Sequence, residues 1–159
     1  MAAVAHLTLD LLRAAAREVA EAYALDLVVL FGSAAREGFA RARDVDLAVT
    51  GDPERGKPNE GWGWGREFVL YDAFAERLHV EVDVVEADRA SEIFQAHVAR
   101  DGVALYERTP GAFARFQADA NRRFEEMQPQ REAEWEETKR AIRALLPPEP
   151  DYRPWGSGR

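Results

Sequence analysis

Leu27-Val28-Val29-Leu30-Phe31-Gly32-Ser33, ten further residues, and then Asp44-Val45-Asp46-Leu47-Ala48-Val49 form the stretch that decides the fold. The first apolar run is rich in branched residues and short, as in a central strand buried on both faces. A Gly-Ser pair ends it and opens a short helical segment through Arg36 and Glu37, which Gly38 closes. The second run, residues 45–49, reads as a second strand, stopped by Gly51-Asp52-Pro53. A turn suited to phosphate thus lies beside two carboxylates spaced one residue apart.

Outward from this stretch, residues 7–24 recur at helical spacing through Leu9, Leu12, Ala16, Val19, Ala20 and Tyr23, with Thr8 or Asp10 as the cap. Residues 52–65 form a long loop containing Trp62 and Trp64 between glycines. Residues 66–78 return to helical spacing. In residues 80–85, Val80, Val82 and Val84 face one way and Glu81, Asp83 and Val85 the other, which is a third strand. A helix over 90–100 follows, with Ile93, Phe94, His97 and Val98 on one face and His97 as a packed residue at the core edge. Residues 103–106 are a short extended segment. A final helical region runs from Pro110 to about Leu146, with a break expected near Pro129.

This order implies an α/β chain of the α+β type. It is a small mixed sheet of about three to four strands flanked by helices, with a C-terminal helical extension. The expected organisation is a domain over residues 1–107, the helical extension over 108–146 and a flexible tail over 147–159, where proline, glycine and polar residues gather.

At 159 residues the chain is long enough for one well-buried core. It has no cysteine, which excludes disulfides, thiolate metal sites and thiol nucleophiles. A net charge of −8 argues against general attraction to nucleic acid or anionic membrane, so no direct nucleic-acid binding is expected. No apolar run approaches the roughly 20 residues that span a bilayer, and no leader pattern is read at the start, so a cytoplasmic location is expected. The acidic run from Glu125 to Glu137 reads as a solvated helix face.

Asp44 and Asp46 stand at i and i+2, so on a strand both point to one face with Cα atoms about 6.6 Å apart. Carboxylates that close repel unless a cation lies between them, and hard oxygen donors favour magnesium, with manganese a second choice. If the third strand runs beside the second, Asp83 joins the pair. Three carboxylates can hold two ions roughly 3.5–4 Å apart, the arrangement used for in-line phosphoryl or nucleotidyl displacement. Gly32 permits close backbone approach, and the helix start after it suits a phosphate. Ser33 adds a hydroxyl, which reads equally well as a simple helix cap. Arg36 and Arg43 lie near enough in sequence to meet a phosphate tail. The three histidines are scattered, and no P-loop pattern is present.

Together, Leu30-Phe31-Gly32-Ser33-Ala34-Ala35-Arg36, Asp44-Val45-Asp46-Leu47 and Val82-Asp83-Val84-Val85 resemble the minimal nucleotidyltransferases (MNT) of the DNA polymerase beta-like superfamily, the group often paired with HEPN-domain proteins. The resemblance covers residues 5–107 and implies the nucleotidyltransferase fold. It implies that Gly32 and Ser33 bind the β- and γ-phosphates of ATP, that Asp44 and Asp46 bind two Mg²⁺ ions, and that Asp83 binds the catalytic ion and helps deprotonate the attacking hydroxyl. In such pairs the MNT protein is an antitoxin that transfers AMP to a tyrosine of its HEPN partner. No Arg-x4-His pattern of the HEPN half is present here. One departure is Arg43, where the family often has Ser or Thr; it can contact phosphate or pair with the carboxylates. The resemblance leaves three readings: a protein adenylyltransferase, an antitoxin acting by binding alone, and a transferase for a small molecule such as an aminoglycoside. Trp62 and Trp64 can stack on adenine, anchor a partner or cover the core edge.

Overall fold

The structure is a computed structural model that describes residues 4–55 and 65–145. Trp62, Trp64 and the expected tail fall outside those residues. The chain divides into two compact units, Met1–Phe124 and Glu125–Arg159.

In the first unit, α1 spans Leu9–Tyr23. Thr8 starts it by accepting a hydrogen bond from the Leu11 N–H at 3.2 Å, which satisfies one of the free donors of the first turn. Ala24 ends it in the left-handed region with φ 53. β1 (Leu27–Phe31) follows, then α2 (Gly32–Glu37) and β2 (Val45–Thr50). α3 (Arg66–Leu78) leads to β3 (Val82–Glu86), and a 3-10 turn over Ala87–Arg89 leads to α4 (Glu92–Asp101). β4 (Val103–Glu107) precedes α5 (Ala112–Leu145).

The four strands form one mixed sheet in the order β3-β2-β1-β4. β1 pairs antiparallel with β2 and with β4, and β2 pairs parallel with β3. The first strand is therefore interior, and its residues Leu27 to Leu30 are all buried, as its unbroken apolar run requires. The alternation of a strand sorts these residues onto two faces. Val28 and Leu30 join Leu12, Val19, Leu47, Val49, Leu70, Phe74 and Val82 in the main core beneath α1 and α3. Leu27 and Val29 join Ala48, Ala87 and Val98 on the opposite face, with Phe31, Phe94, Phe113 and Phe116 packed around them. Asp46 shares the parity of Ala48 and so faces this second, thinner side.

Three expectations change. His97 is exposed, and its Nδ1 accepts from an Arg100 guanidinium nitrogen at 3.2 Å. The buried residues of α4 are Gln95, Val98 and Ala99. Gln95 tolerates burial because its amide donates to the Ala87 carbonyl at 2.8 Å and accepts from Arg123 at 3.1 Å. Pro129 lies inside α5 without ending it. It is exposed, so water can take the carbonyl that its missing N–H leaves free. The third strand also starts later than expected, at Val82, because α3 closes only at His79, which has φ 55. Among the described residues, no helix is long and apolar enough to cross a membrane.

Candidate active site

The register of the sheet builds the site. Phe31 is the partner of Asp46 across β1 and β2, and Asp46 is the partner of Asp83 across β2 and β3. These three residues form one row on one face of the sheet. Asp44, just before β2, completes a group with Asp46 and Asp83 in which one carboxylate oxygen from each lies within 4.8 Å of the others. Asp44 and Asp46 are half-buried and Asp83 is exposed.

Carboxylates gathered this closely repel one another. Burial pushes the Asp46 carboxyl above its usual pKa, and the charges of Asp44 and Asp83 push it further; only Arg36 acts in the opposite direction. The donors are all carboxylate oxygens, which suits a hard divalent ion such as magnesium or manganese. The residues therefore fit the metal that the sequence implies.

Gly32 stands at the end of β1 with φ +72. The carboxylate of Asp46 occupies the space that a Cβ at position 32 would need, with its Cγ at 3.0 Å and its Cβ at 3.3 Å from that point. The glycine is thus required twice, by its backbone angle and by the aspartate against it. Phe31 is the N-cap residue of α2, and no side chain caps this helix. Ser33 lies inside the helix, so the simple-cap reading of its hydroxyl does not hold. Ser33 is half-buried, and Arg36 and Arg43 are exposed. Among the described residues Arg43 forms no ion pair with Asp44, Asp46 or Asp83.

Three features around the site had no strong signal in the sequence. The ring of Phe94 meets Phe31 edge-on, with centroids 5.2 Å apart, beside the carboxylate row. Arg66 and Glu86 form a buried pair, with side chains 5% and 7% exposed and Nε and Oε1 separated by 3.4 Å. Arg66 also donates to the Gly51 carbonyl at 2.8 Å, and the Glu86 N–H donates to Glu67 at 3.1 Å. This cluster ties the end of β2, the start of α3 and the end of β3 together. The third feature is a groove of about 460 Å³ lined by residues of α3, β3 and the 3-10 turn, including Phe68, Tyr71, Asp83, Val84 and Arg89. Neither a lone arginine at a helix start nor a glutamate at a strand end announces its partner in sequence.

The family model described as polymerase beta, nucleotidyltransferase, matches residues 16–110. No curated protein matches the chain significantly. Among solved structures, a chain of a toxin–antitoxin complex with AMP-PNP is 22% identical with a TM-score of 0.61, covering 84% of this chain and 99% of that one. A chain from the complex of the tri-AMPylated Shewanella oneidensis HEPN toxin with MNT antitoxin is 20% identical with a TM-score of 0.60, covering 83% and 99%. A chain of the MntA–HepT toxin–antitoxin complex is 20% identical with a TM-score of 0.58, covering 82% and 98%. At these identities the likeness is one of fold.

Proposed function

The chain belongs to the polymerase beta nucleotidyltransferase family, and from that premise we propose that it transfers AMP from ATP to a hydroxyl acceptor, a tyrosine of a HEPN-domain partner, as an antitoxin. The observation that carries this reading is the convergence of Asp44, Asp46 and Asp83 beside Gly32. The structural neighbours support the partner class: they come from toxin–antitoxin complexes, one holding AMP-PNP and one a tri-AMPylated HEPN toxin.

In this reading Asp44, Asp46 and Asp83 hold two Mg²⁺ ions, for which Mn²⁺ can substitute. The ions, when bound, supply positive charge to the triphosphate and to the attacking oxygen. Gly32 lets the backbone approach the β- and γ-phosphates, and Ser33 offers its hydroxyl to them. Arg36 and Arg43 extend the positive potential along the phosphate tail. Asp83 is the most exposed of the three carboxylates and accepts the proton of the incoming hydroxyl. The oxygen attacks the α-phosphorus, the bond to the bridging oxygen breaks, and pyrophosphate leaves. The nucleotidyltransferase domain would comprise residues 1–107, with 108–146 as its helical extension and 147–159 as a tail.

The test is incubation with α-labelled ATP, magnesium and a candidate HEPN-domain partner. Label should appear on the partner and disappear with Asp44→Ala when the fold is intact. Labelling that survives Asp44→Ala would remove the site assignment. Labelling of an aminoglycoside in place of the partner would favour the small-molecule reading.

A further inference from the structure

Beyond Phe124, α5 continues as the helix of the second unit, over residues 125–145. A helix takes most of its stability from packing one face rather than from propensity, and Pro129 removes a hydrogen bond from this one. One face carries a pattern. Gln128, Arg131, Trp135, Thr138, Ile142 and Leu145 follow one another at intervals of three and four residues. That is the spacing of the seam between two coiled helices. Trp135 is 58% exposed, and Ile142 and Leu145 are exposed beside it. Two shallow grooves lie along the seam, one lined by Arg131, Trp135 and Thr138 and the next by Thr138, Ile142 and Leu145. Grooves of this kind receive the side-chain ridges of another helix.

Charge selects that helix. Glu125, Glu126, Glu132, Glu134, Glu136 and Glu137 crowd the first part of the stretch against Arg131 alone. Lys139, Arg140 and Arg143 follow, with no acidic residue among them as far as Leu145. The stretch is therefore complementary to its own reverse. A second copy laid antiparallel sets the basic end of each helix against the acidic start of the other. When Trp135 meets Thr138 of the second copy, the same register sets Ile142 on Arg131 and Leu145 on Gln128, and Glu132 flanks Lys139. The Arg131 stem can cover Ile142 while its guanidinium stays in water. A parallel pair would instead stack Arg131 on Arg131 in the seam and acid on acid along its flanks. Lys139 already pairs with Glu136 and stands over the Trp135 ring, 5.8 Å from its centre. An exposed ion pair contributes little and exchanges partners readily.

We infer that residues 125–145 form an antiparallel two-helix interface with the same stretch of a second copy of this chain. Trp135 lies next to the two-fold axis and anchors the seam from both sides. Both copies use the same face, so the assembly closes at two. The seam is short and half polar, which makes the dimer weak and dependent on concentration. This inference is independent of the proposed AMP transfer.

Sedimentation equilibrium of the full chain tests it. Half of the protein should be dimeric at roughly 10–100 μM. Trp135→Ala should weaken association by about tenfold or more with helix content retained by circular dichroism. Lys139→Glu, which sets Glu against Glu132, should weaken it too, and Glu132→Lys combined with Lys139→Glu should restore it. The chain has no cysteine, so introduced thiols report the register. Gln128→Cys and Leu145→Cys proteins, mixed and oxidised in glutathione buffer, should yield the mixed disulfide in excess over either homodimer. An excess of the homodimers means a parallel pair and overturns the inference. So does a dimer indifferent to Trp135→Ala and Lys139→Glu, and so does a chain that stays monomeric up to about 1 mM. A monomer that loses a candidate HEPN-domain partner on Trp135→Ala gives the face to that partner, and a monomer whose thermal midpoint falls on Trp135→Ala gives it to the chain itself; either result overturns the inference.

Discussion

Asp46 packs its carboxylate against the α-carbon of Gly32, filling the place of a Cβ. The glycine that frames the phosphate side of the site and the aspartate at the centre of its carboxylate group are therefore one packing unit. A change at either residue disturbs the other.

Gly32→Ala tests this unit. An alanine there must adopt φ +72 and displace the aspartate. The backbone strain alone should cost about 1–3 kcal/mol. A lower urea midpoint together with weakened Mg²⁺ and ATP binding is the expected result. Unchanged metal affinity would show that Asp46 does not need this contact.

Asp46→Asn should stabilise the metal-free protein. Burial and the charges of Asp44 and Asp83 disfavour the ionised carboxylate in the folded state, and an amide removes that repulsion. Thermal unfolding in EDTA should show a higher midpoint than wild type. Added magnesium should raise the midpoint of wild type but not of the variant.

The same raised pKa sets a pH dependence. Between the unfolded value of 3.8 and the higher folded value, the folded state holds more proton than the unfolded state. Asp46 therefore makes the metal-free protein lose stability as pH rises through that window, and the full penalty applies above it. Metal binding requires the ionised form, so its affinity should rise with pH over the same window. Urea midpoints in EDTA and Mg²⁺ titrations across the acidic range measure the two trends, and Asp46→Asn should flatten the first.

The buried pair gives a prediction about the frame of the site. Arg66→Met leaves the buried Glu86 with the exposed Arg89 alone as its cationic neighbour, at 3.6 Å, which should cost up to about 3–5 kcal/mol. Replacing both, Arg66→Met with Glu86→Leu, should recover much of that loss. Equilibrium unfolding of the three proteins decides it, and equal losses in the single and double variants would deny the pair its role.

The core of this fold was legible because its signals are local. The unbroken apolar run at Leu27–Phe31 marks an interior strand, and the spacing of Asp44 and Asp46 places both on one face of the next. The approach of Asp83 was legible only conditionally, since it needed β3 to lie beside β2, and parallel pairing leaves no local trace. Gln95 and His97 show the limit of periodicity: helical spacing puts His97 inward, but Gln95 takes the buried position because Ala87 and Arg123 satisfy its amide. The link between Arg66 and Glu86 spans the whole of α3 and the strand after it. Long-range partners of that kind are set by packing, which single residues do not disclose.

The most direct test of the central claim combines modification with inhibition. A candidate HEPN-domain toxin is incubated with this protein, ATP and magnesium, then separated, weighed by intact-mass spectrometry and assayed for toxicity. The expected result is an adenylylated tyrosine and lost toxicity, both absent when Asp44→Ala replaces the wild type. A partner that is silenced without gaining AMP, and silenced equally by Asp44→Ala, would contradict the account and identify an antitoxin that acts by binding alone.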